Sequence, residues 1–212
     1  MEKEFKYIAV EGPIGAGKTS LTRLLSEHLG KEVLLEEPDS NPFLEEFYKN
    51  RERYALAVQL NFFLRRVEQI NQVKQMNLFH SGTVADFLIE KDPIFARLNL
   101  SNDELKLYRQ IYDYLKPNMP VPDLVIYLQA SPTKLIERVK TRGKVYERNV
   151  TKEYITSVFV EYQNFFHSYD TAPILIVNSD NLNFVDKTAH FDMLLERIFG
   201  MRSPREFFGL AG

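Results

Sequence analysis

Residues 7–19, which read Y-I-A-V-E-G-P-I-G-A-G-K-T, constrain the fold of this chain more than any other stretch. The second half has the Walker A spacing, in which two glycines are separated by four residues and followed by Lys18 and Thr19. The apolar run at residues 5–10 predicts a strand before the motif, and the periodicity of residues 20–29 predicts a helix after it. In that setting the backbone N–H groups of the loop surround phosphate oxygens, and the N-terminus of the helix attracts the same anion. The stretch therefore predicts a nucleoside-triphosphate site. A glycine-rich loop that arose by chance would not need a strand before it and a helix after it.

The residue types of this loop predict what each would bind. Lys18 is expected to reach the β- and γ-phosphates of ATP, and the Thr19 hydroxyl is expected to ligate Mg²⁺. Glycines let the backbone approach the phosphates because no Cβ stands in the way. The residues expected to surround the nucleotide are Gly12, Pro13, Ile14, Gly15, Ala16, Gly17, Lys18 and Thr19.

Composition narrows the remaining possibilities. The length of 212 residues suits a large core, so residues 1–212 are predicted to form a single domain. With 27 basic and 29 acidic residues, the chain has no basic excess that would indicate a nucleic-acid surface. The absence of cysteine excludes disulfides and thiolate chemistry, and no apolar run reaches membrane-spanning length. The first predicted strand leaves no room for a signal peptide before it, so we expect a cytoplasmic protein.

Strand-like and helix-like segments alternate along the chain. Short apolar runs predict five strands, at residues 5–10, 33–35, 83–85, 124–128 and 174–177. Helical periodicity is found at residues 43–49, 52–77, 102–116, 132–141, 151–169 and 183–199, and Ser101 and Ser131 are the expected N-caps of two of these helices. Such alternation requires crossover connections. It predicts an α/β fold in which a five-stranded parallel sheet has helices on both faces.

The long helix at residues 52–77 contains a polar side chain in an apolar setting. Residues 54–64 are apolar apart from Gln59 and Asn61, so this part is expected to be buried on all sides. A buried amide needs hydrogen-bond partners, because an unsatisfied one costs about 1–3 kcal/mol. The Gln59 amide can bond to a neighbouring backbone group, or it can bind the edge of a base. The spacing favours the first interpretation and leaves the second open.

Several short motifs beyond the P-loop occur together in one known family. They are E-P at residues 37–38, N-P-F-L at 41–44, F-Y at 47–48, Gln59, Arg66 seven residues later, R-V-K-T-R-G-K at 138–144, Glu147, and N-S-D-N-L-N-F at 178–184. On these motifs the chain resembles the deoxynucleoside kinases, which transfer the γ-phosphate of ATP to the 5′-hydroxyl of a deoxynucleoside. The resemblance covers nearly the whole chain. It implies a P-loop kinase fold with an arginine-bearing lid at about residues 138–150.

The resemblance also implies a role for each matching side chain. Glu37 would be the general base that takes the proton of the 5′-hydroxyl, and Asp86 would hold Mg²⁺ directly or through water. The side chains that would bind the deoxynucleoside are Glu37, Tyr48, Gln59, Arg66, Asp92 and Glu147. Those that would bind the donor nucleotide or close over its transferring phosphoryl group are Arg138, Arg142, Lys144 and Asp180. Two arginines four apart on a helix project from one face, and guanidinium groups suit the spread charge of a phosphoryl group.

One departure from the family lies after the third strand. Where the family has an acidic residue followed by arginine and serine, this chain has Asp86-Phe87-Leu88, so a positive charge is missing. If the following residues form a helix, Lys91 lies on the same face as Phe87 and its flexible side chain can return that charge. The alternative is that Lys91 pairs with Glu90 or Glu161 in solvent.

Three functions from different classes remain open. A deoxynucleoside kinase of nucleotide salvage is preferred, with deoxyadenosine as the first expected acceptor and deoxycytidine as the second. A nucleoside-monophosphate kinase of the thymidylate type shares the fold but needs a further arginine for the acceptor phosphate, which Phe87 does not supply. A nucleotide-binding regulator with a decayed site would have lost Glu37, Lys18 and the lid charges as well. The resemblance, together with the apolar excess of the helix at residues 52–77, implies a homodimer.

Overall fold

A computed structural model describes residues 4–76, 82–116 and 120–210. Its centre is a sheet in the order β2-β3-β1-β4-β5-β6, and every pair of neighbouring strands is parallel. The strands are β1 (Tyr7–Glu11), β2 (Glu32–Leu34), β3 (Thr83–Ala85), β4 (Leu124–Gln129), β5 (Ile174–Asn178) and β6 (Arg205–Gly209). Because all strands run in one direction, their carboxyl ends meet at one edge of the sheet.

The connections between the strands are helical. The helices are α1 (Lys18–Leu29), α2 (Leu44–Lys49), α3 (Arg51–Met76), α4 (Asp92–Asn99), α5 (Asn102–Leu115), α6 (Pro132–Arg142), α7 (Lys152–His167) and α8 (Thr188–Gly200). The predicted N-caps are confirmed, since the Ser101 hydroxyl accepts from the Glu104 N–H and the Ser131 hydroxyl accepts from the Lys134 N–H. No helix in the described ranges is long and apolar enough to cross a membrane.

Each face of the sheet packs on its own set of helices. Successive residues of a strand point to opposite faces, so Ile8 and Val10 of β1 join one core cluster, whereas Tyr7 and Ala9 join another. The first cluster takes apolar side chains from α1, α6 and α8, with Ile155 of α7, and the second takes them from α2, α3, α4 and α7. The predicted α/β fold with helices on both faces is therefore confirmed.

The sheet has one strand more than the five predicted. β6 has five residues, follows Pro204 directly and pairs only with β5 at the edge of the sheet, as far as the described residues show. Phe207 in its middle is 66% exposed, so the segment lacks the continuous apolar run of a buried parallel strand. That weak pattern is why the sequence did not predict it.

The segment after β3 also differs from expectation. Phe87 and Leu88 precede a 3₁₀ helix at Ile89–Lys91, which leads into the unpredicted helix α4. Phe87 is fully buried in a third core cluster with aromatic side chains of α3 and α5, so it does not share a helix face with Lys91. The expectation of one common face was wrong.

The long helix α3 is not buried on all sides. Leu64 is 49% exposed, and Leu56, Ala57 and Leu60 are only half-buried. The predicted C-terminal residue of this helix, at position 77, lies outside the described residues. The apolar run at residues 54–64 therefore exceeds what the contacts within one chain cover.

Candidate active site

A cavity of about 840 Å³ opens at the carboxyl edge of the sheet. It begins at the loop between β1 and α1 and extends between α2, α3 and α7. Of the side chains and loop residues singled out in the sequence, those lining it are Ile14, Gly15, Gly17, Lys18, Thr19, Glu37, Tyr48, Gln59, Arg66, Asp86, Lys91, Arg142, Lys144 and Glu147. Gly12, Pro13, Ala16, Asp92, Arg138 and Asp180 do not line it directly. The sequence thus identified the phosphate loop and many of the polar side chains of the wall, but not its apolar residues.

The loop at the outer end has the shape that phosphate binding requires. A Cβ on Gly12 would lie 2.5 Å from the Leu128 carbonyl oxygen, so only glycine fits against β4. Gly17 has a φ of 96°, in the left-handed region, and α1 begins at the next residue, Lys18. The Lys18 ammonium donates to the Gly12 carbonyl over 2.8 Å. Burial, followed by the charge of Lys91, lowers the pKa of Lys18 from its ordinary value.

Thr19 and Asp86 meet beside this loop. The Thr19 hydroxyl donates to Asp86 Oδ2 over 2.6 Å, and the Glu36 N–H donates to Asp86 Oδ1 over 2.6 Å. Burial raises the pKa of the Asp86 carboxyl group, and hydrogen bonds from Glu36 and Thr19 oppose that shift. A hydroxyl and a carboxylate next to a phosphate site fit Mg²⁺, which binds few protein oxygens and takes its other ligands from phosphate and water. Within the described ranges there is no larger cluster of acidic, histidine or cysteine side chains that could hold a metal ion.

The inner end of the cavity is a network of buried polar side chains. Gln59 Nε2 donates to the Asp92 carbonyl oxygen over 3.1 Å and also to the Asp92 carboxylate. Arg66 forms an ion pair with the same carboxylate, which also accepts from the Tyr108 hydroxyl over 2.7 Å. Asp92 is 0% exposed, so it holds Gln59 and Arg66 in place from behind the cavity wall. The interpretation of Gln59 as bonded to a neighbouring backbone group is confirmed for its nitrogen.

The consecutive residues Glu36 and Glu37 have different surroundings. Arg66 Nε donates to Glu36 Oε1 over 2.6 Å, and a second guanidinium nitrogen pairs with the same oxygen. Burial raises the pKa of Glu36, but the charges of Arg66, Lys91 and Lys18 outweigh burial and lower it to about 2. Glu37, the predicted base, lies on the cavity wall but is exposed. Sequence reasoning missed Glu36, although its place after β2 marks it as clearly as it marks Glu37.

A second residue that sequence reasoning missed is Glu11, at the end of β1. Its carboxylate is 0% exposed and accepts from the N–H groups of Gly12 and Leu88 over 2.8 and 2.7 Å, and from the Tyr162 hydroxyl over 3.1 Å. Lys91 Nζ lies 3.3 Å from both of its oxygens and is only 2% exposed. The sequence feature that could have identified Glu11 is its position, since it is a charged residue at the end of an apolar strand and directly before the first Walker A glycine.

This pairing settles one of the alternatives for Lys91. The side chain is buried and pairs with Glu11, so pairing with Glu90 or Glu161 in solvent is wrong. Its ammonium lines the cavity and also lies 4.0 Å from Glu36 Oε2. The Lys91 side chain therefore places a positive charge between the phosphate loop and the inner network, although it does not share a helix face with Phe87.

Side chains of the predicted lid contact four different residues. Arg142 pairs with Glu147, which is 7% exposed. Lys144 Nζ lies 2.7 Å from Asp39 Oδ2, on the loop after β2. Arg138 donates to the Ala16 carbonyl of the phosphate loop over 3.5 Å, and to the Ser179 hydroxyl and carbonyl over 3.2 and 2.6 Å.

The predicted residues Asp180 and Tyr48 have different surroundings. Asp180 Oδ1 accepts from the Ser131 N–H over 2.8 Å, so it fixes the start of α6 next to the loop that carries Ser179. Tyr48 lies among aromatic side chains, 6.2 Å from Tyr154 between ring centres. Burial raises the pKa of Tyr48 well above its ordinary value, and Tyr154 and Glu147 add to the shift. Its hydroxyl therefore stays protonated and can donate a hydrogen bond.

Comparison with known proteins identifies the family. A family model described as deoxynucleoside kinase matches residues 8–201. The chain belongs to the deoxynucleoside kinase family. It is therefore an enzyme, a phosphotransferase, and the family resemblance stated from its motifs is confirmed.

Relatives of this kinase act on several bases, according to their names. A deoxyadenosine kinase of Lactobacillus acidophilus is 33% identical over 194 residues, which cover 85% of this chain and 88% of the relative. A deoxyguanosine kinase of Bacillus subtilis (strain 168) is 31% identical over 197 residues, which cover 91% and 95% of the two chains. The solved structure of an M. mycoides deoxyadenosine kinase with dCMP and dCDP bound has a TM-score of 0.81, is 25% identical, and covers 92% of this kinase and 100% of that chain.

Proposed function

We propose that this kinase transfers the γ-phosphoryl group of ATP to the 5′-hydroxyl of a deoxynucleoside. One observation supports this proposal most directly: a single cavity joins a phosphate-binding loop to a buried network of an amide, a guanidinium and two carboxylates. The loop suits the donor phosphates, and the network suits the polar edge of a base. A nucleoside placed between them has its 5′-hydroxyl directed towards the phosphates.

Side chains at the outer end would hold the donor in line with the acceptor. Lys18 would bind the β- and γ-phosphates in place of the carbonyl oxygens that it now contacts. Thr19 and Asp86 would hold Mg²⁺, which supplies positive charge to the phosphate oxygens. Phosphoryl transfer depends mainly on such positioning and charge neutralisation. Arg142 and Lys144 would add positive charge when residues 138–150 act as a lid of the one kinase domain.

The sugar would be bound by Tyr48 and Glu147. Both line the cavity on the same side, and Glu147 is buried and held by Arg142. A phenol donor and a carboxylate acceptor together can bind a hydroxyl group, which both donates and accepts. These two side chains therefore suit the 3′-hydroxyl of a deoxyribose rather than a phosphate.

Deoxyadenosine is the proposed first acceptor, and deoxycytidine the second. Gln59 Nε2 faces two acceptors of Asp92, which leaves the amide oxygen as the atom available to a base. That oxygen can accept from the exocyclic amino group of adenine or cytosine, and Arg66 can donate to the neighbouring ring nitrogen. On the same edge guanine presents an acceptor, O6, where adenine presents a donor. The inner network therefore favours bases with an amino group at C6 of a purine or C4 of a pyrimidine, as in adenine and cytosine.

A coupled assay tests this function. The purified enzyme is incubated with ATP, Mg²⁺ and each of the four deoxynucleosides and their 5′-monophosphates, and formation of ADP is recorded. Deoxyadenosine should give the highest kcat/KM, followed by deoxycytidine, and the monophosphates should give none. Activity confined to thymidine would contradict the base assignment. Activity confined to monophosphates would contradict the proposed acceptor.

We also propose that the enzyme is a homodimer that pairs through α3. Ala57, Leu60 and Leu64 are spaced by three and four residues and so form one apolar stripe, of which Leu64 is 49% exposed. A second copy of the same helix would cover this stripe. Analytical ultracentrifugation of the wild type at micromolar concentration should show a dimer, and Leu64→Lys should shift it to monomer. A wild type that sediments as a monomer would contradict the dimer.

A further inference from the structure

The Glu11 carboxylate lies behind the cavity wall and takes no part in the function proposed above. It is 0% exposed and does not line the cavity, whereas two of the side chains bonded to it, Lys91 and Tyr162, do. A carboxylate can accept about four hydrogen bonds. Glu11 accepts four, from the N–H groups of Gly12 and Leu88, the Tyr162 hydroxyl and the Lys91 ammonium. A carboxylate that is bonded in all of these directions cannot turn, so it fixes the groups around it.

Glu11 holds the segment after β3 at two points. The Leu88 N–H donates to Glu11 Oε2 over 2.7 Å, and Lys91 Nζ lies 3.3 Å from both carboxylate oxygens. Between these points the Lys91 N–H donates to the Leu88 carbonyl over 3.2 Å and closes the 3₁₀ turn. This attachment returns an ammonium group to the end of β1, although the buried side chain of Phe87 faces a core cluster and does not line the cavity.

The same carboxylate is attached to the phosphate loop. The Gly12 N–H donates to Glu11 Oε1 over 2.8 Å, and the Gly12 carbonyl accepts from Lys18 Nζ over 2.8 Å. Burial and then the charge of Lys91 lower the pKa of Lys18, so the two ammonium groups lie near each other. Two neighbouring cations need an anion close by. Glu11 supplies one from behind the wall, where it takes up none of the cavity.

The Lys91 ammonium remains available to a second anion. It carries three donors, and Glu11 is the one residue to which its side chain donates within the part of the chain that the structure describes. The ammonium lines the cavity and the carboxylate lies behind it, so this ion pair presents its positive end to the cavity. The anion that passes this place in phosphoryl transfer is the transferring group itself.

We propose that Glu11 is a positioning residue that holds Lys91 Nζ against the γ-phosphoryl group, in register with the phosphate loop, a role that rests on the kinase function proposed above. Glu11 contacts neither substrate and exchanges no proton with them. Lys91 binds an oxygen of the transferring group as a point charge. Because phosphoryl transfer depends on positioning and charge neutralisation, moving this ammonium out of place lowers the rate.

A double-mutant cycle in the full-length enzyme tests this role. It compares the wild type with Glu11→Gln, Lys91→Met and the double variant, and kcat and both KM values are measured with ATP and the best deoxynucleoside of the panel, well below the lowest melting temperature. Glu11→Gln should lower kcat about tenfold while KM changes far less, because the ammonium loses the anion that holds it. In the Lys91→Met background the same change should alter kcat by no more than about twofold, since no ammonium remains to be positioned.

Glu153→Gln, at an exposed position on α7, is the control for loss of one negative charge and should retain the wild-type kcat. If Glu11→Gln does not fold, Glu11→Asp takes its place in the same cycle, because it keeps the charge opposite Lys91 but withdraws it by one methylene group.

A Glu11 substitution that lowers kcat equally in both backgrounds acts through the fold and overturns the positioning role. Wild-type kcat in the folded Glu11 variant overturns it as well. A wild-type enzyme that phosphorylates no deoxynucleoside overturns the kinase proposal itself, which separates the two failures.

Discussion

The two ends of the cavity are built in different ways. The phosphate end is made by eight consecutive residues, 12–19, and most of its contacts come from the backbone and from one helix N-terminus. The inner end is made by side chains of Gln59, Arg66, Asp92 and Tyr108, which lie on three different helices. The first is a local structure, whereas the second exists only when the whole chain is folded.

This difference has an energetic consequence. The loop at the phosphate end exposes polar groups that water can solvate until a nucleotide binds. At the inner end, the charges of Arg66 and Asp92 are 4% and 0% exposed, so each depends on the other to offset its loss of hydration. Substitutions at the phosphate end should therefore reduce the rate and leave the fold intact. Substitutions at the inner end should reduce stability as well.

The largest effect is expected for Arg66→Met. This change leaves the Asp92 and Glu36 carboxylates without their guanidinium partner, and breaking a buried pair costs about 3–5 kcal/mol of unfolding free energy. Urea denaturation followed by circular dichroism measures the loss. Arg65→Met, one residue away on the exposed side of α3, is the matched control and should leave the midpoint unchanged. A loss no larger than that of the control would show that the inner network does not depend on ionic pairing.

Lys18→Met should separate rate from stability at the other end. Among the residues that the structure describes, the half-buried lysine donates only to backbone carbonyls, so its removal should change the unfolding free energy by no more than about 0.5 kcal/mol. Loss of a charge that stabilises the transferring phosphoryl group should lower kcat roughly 10²–10³-fold. Steady-state kinetics and urea denaturation of the same preparation give both values, with Lys140→Met on the exposed side of α6 as the control. A large loss of stability would remove the distinction between the two ends.

Lys91 lies between the two ends of the cavity, and its replacement tests whether it contributes to the rate, to the stability of the fold, or to both. Lys91→Met should lower kcat at least tenfold, about 1.4 kcal/mol, because its charge adjoins both Glu36 and the phosphate loop. It should also destabilise the fold, since Glu11 is left charged and fully buried.

The double variant Glu11→Gln/Lys91→Met separates these two effects. Neutralising Glu11 should restore the melting temperature, but the loss of kcat should remain. Recovery of both would mean that Lys91 acts only through folding, and that the missing arginine at Phe87 is not replaced.

The smallest effect is expected for Gln59→Leu. This change removes the amide oxygen that is proposed to accept from an exocyclic amino group, and a typical hydrogen bond contributes about 0.5–1.5 kcal/mol. The ratio of kcat/KM for deoxyadenosine over deoxyguanosine should therefore fall by up to about tenfold. Gln110→Leu, at an exposed position of α5, is the control. An unchanged ratio would show that another group selects the base.

Much of the fold could be predicted because its signals are local. The Walker A spacing and the apolar runs of β1, β4 and β5 depend on neighbouring residues, and all of these elements are confirmed. β6 could not be predicted because edge pairing buries little of it, and its register is set by β5. α8 begins at Thr188 rather than at residue 183, because the Asn183 side chain accepts from the Val185 and Asp186 N–H groups and holds a turn there.

The inner end could be predicted only in part, for a physical reason. The sequence identified Gln59 and Arg66, but their partners Asp92 and Tyr108 are brought to them by the fold. Glu36 and Glu37 show the limit most clearly. Both line the cavity, but only Glu36 is held there, by Arg66 and Asp86, which are distant in sequence. Composition and spacing carry no information on that choice.

The ion pair between Lys144 and Asp39 bears on how the two substrates influence each other. In the proposed cycle the donor lies under residues 138–150 and the acceptor lies beside the loop that carries Asp39, so this pair joins the two binding sites. Thermodynamic linkage requires the resulting cooperativity to be equal in both directions. The two side chains are 44% and 62% exposed, and exposed pairs contribute about 0.2–1 kcal/mol, so the pair can strengthen either affinity by no more than about fivefold. Added salt screens such a pair, and at high ionic strength its contribution to cooperativity disappears.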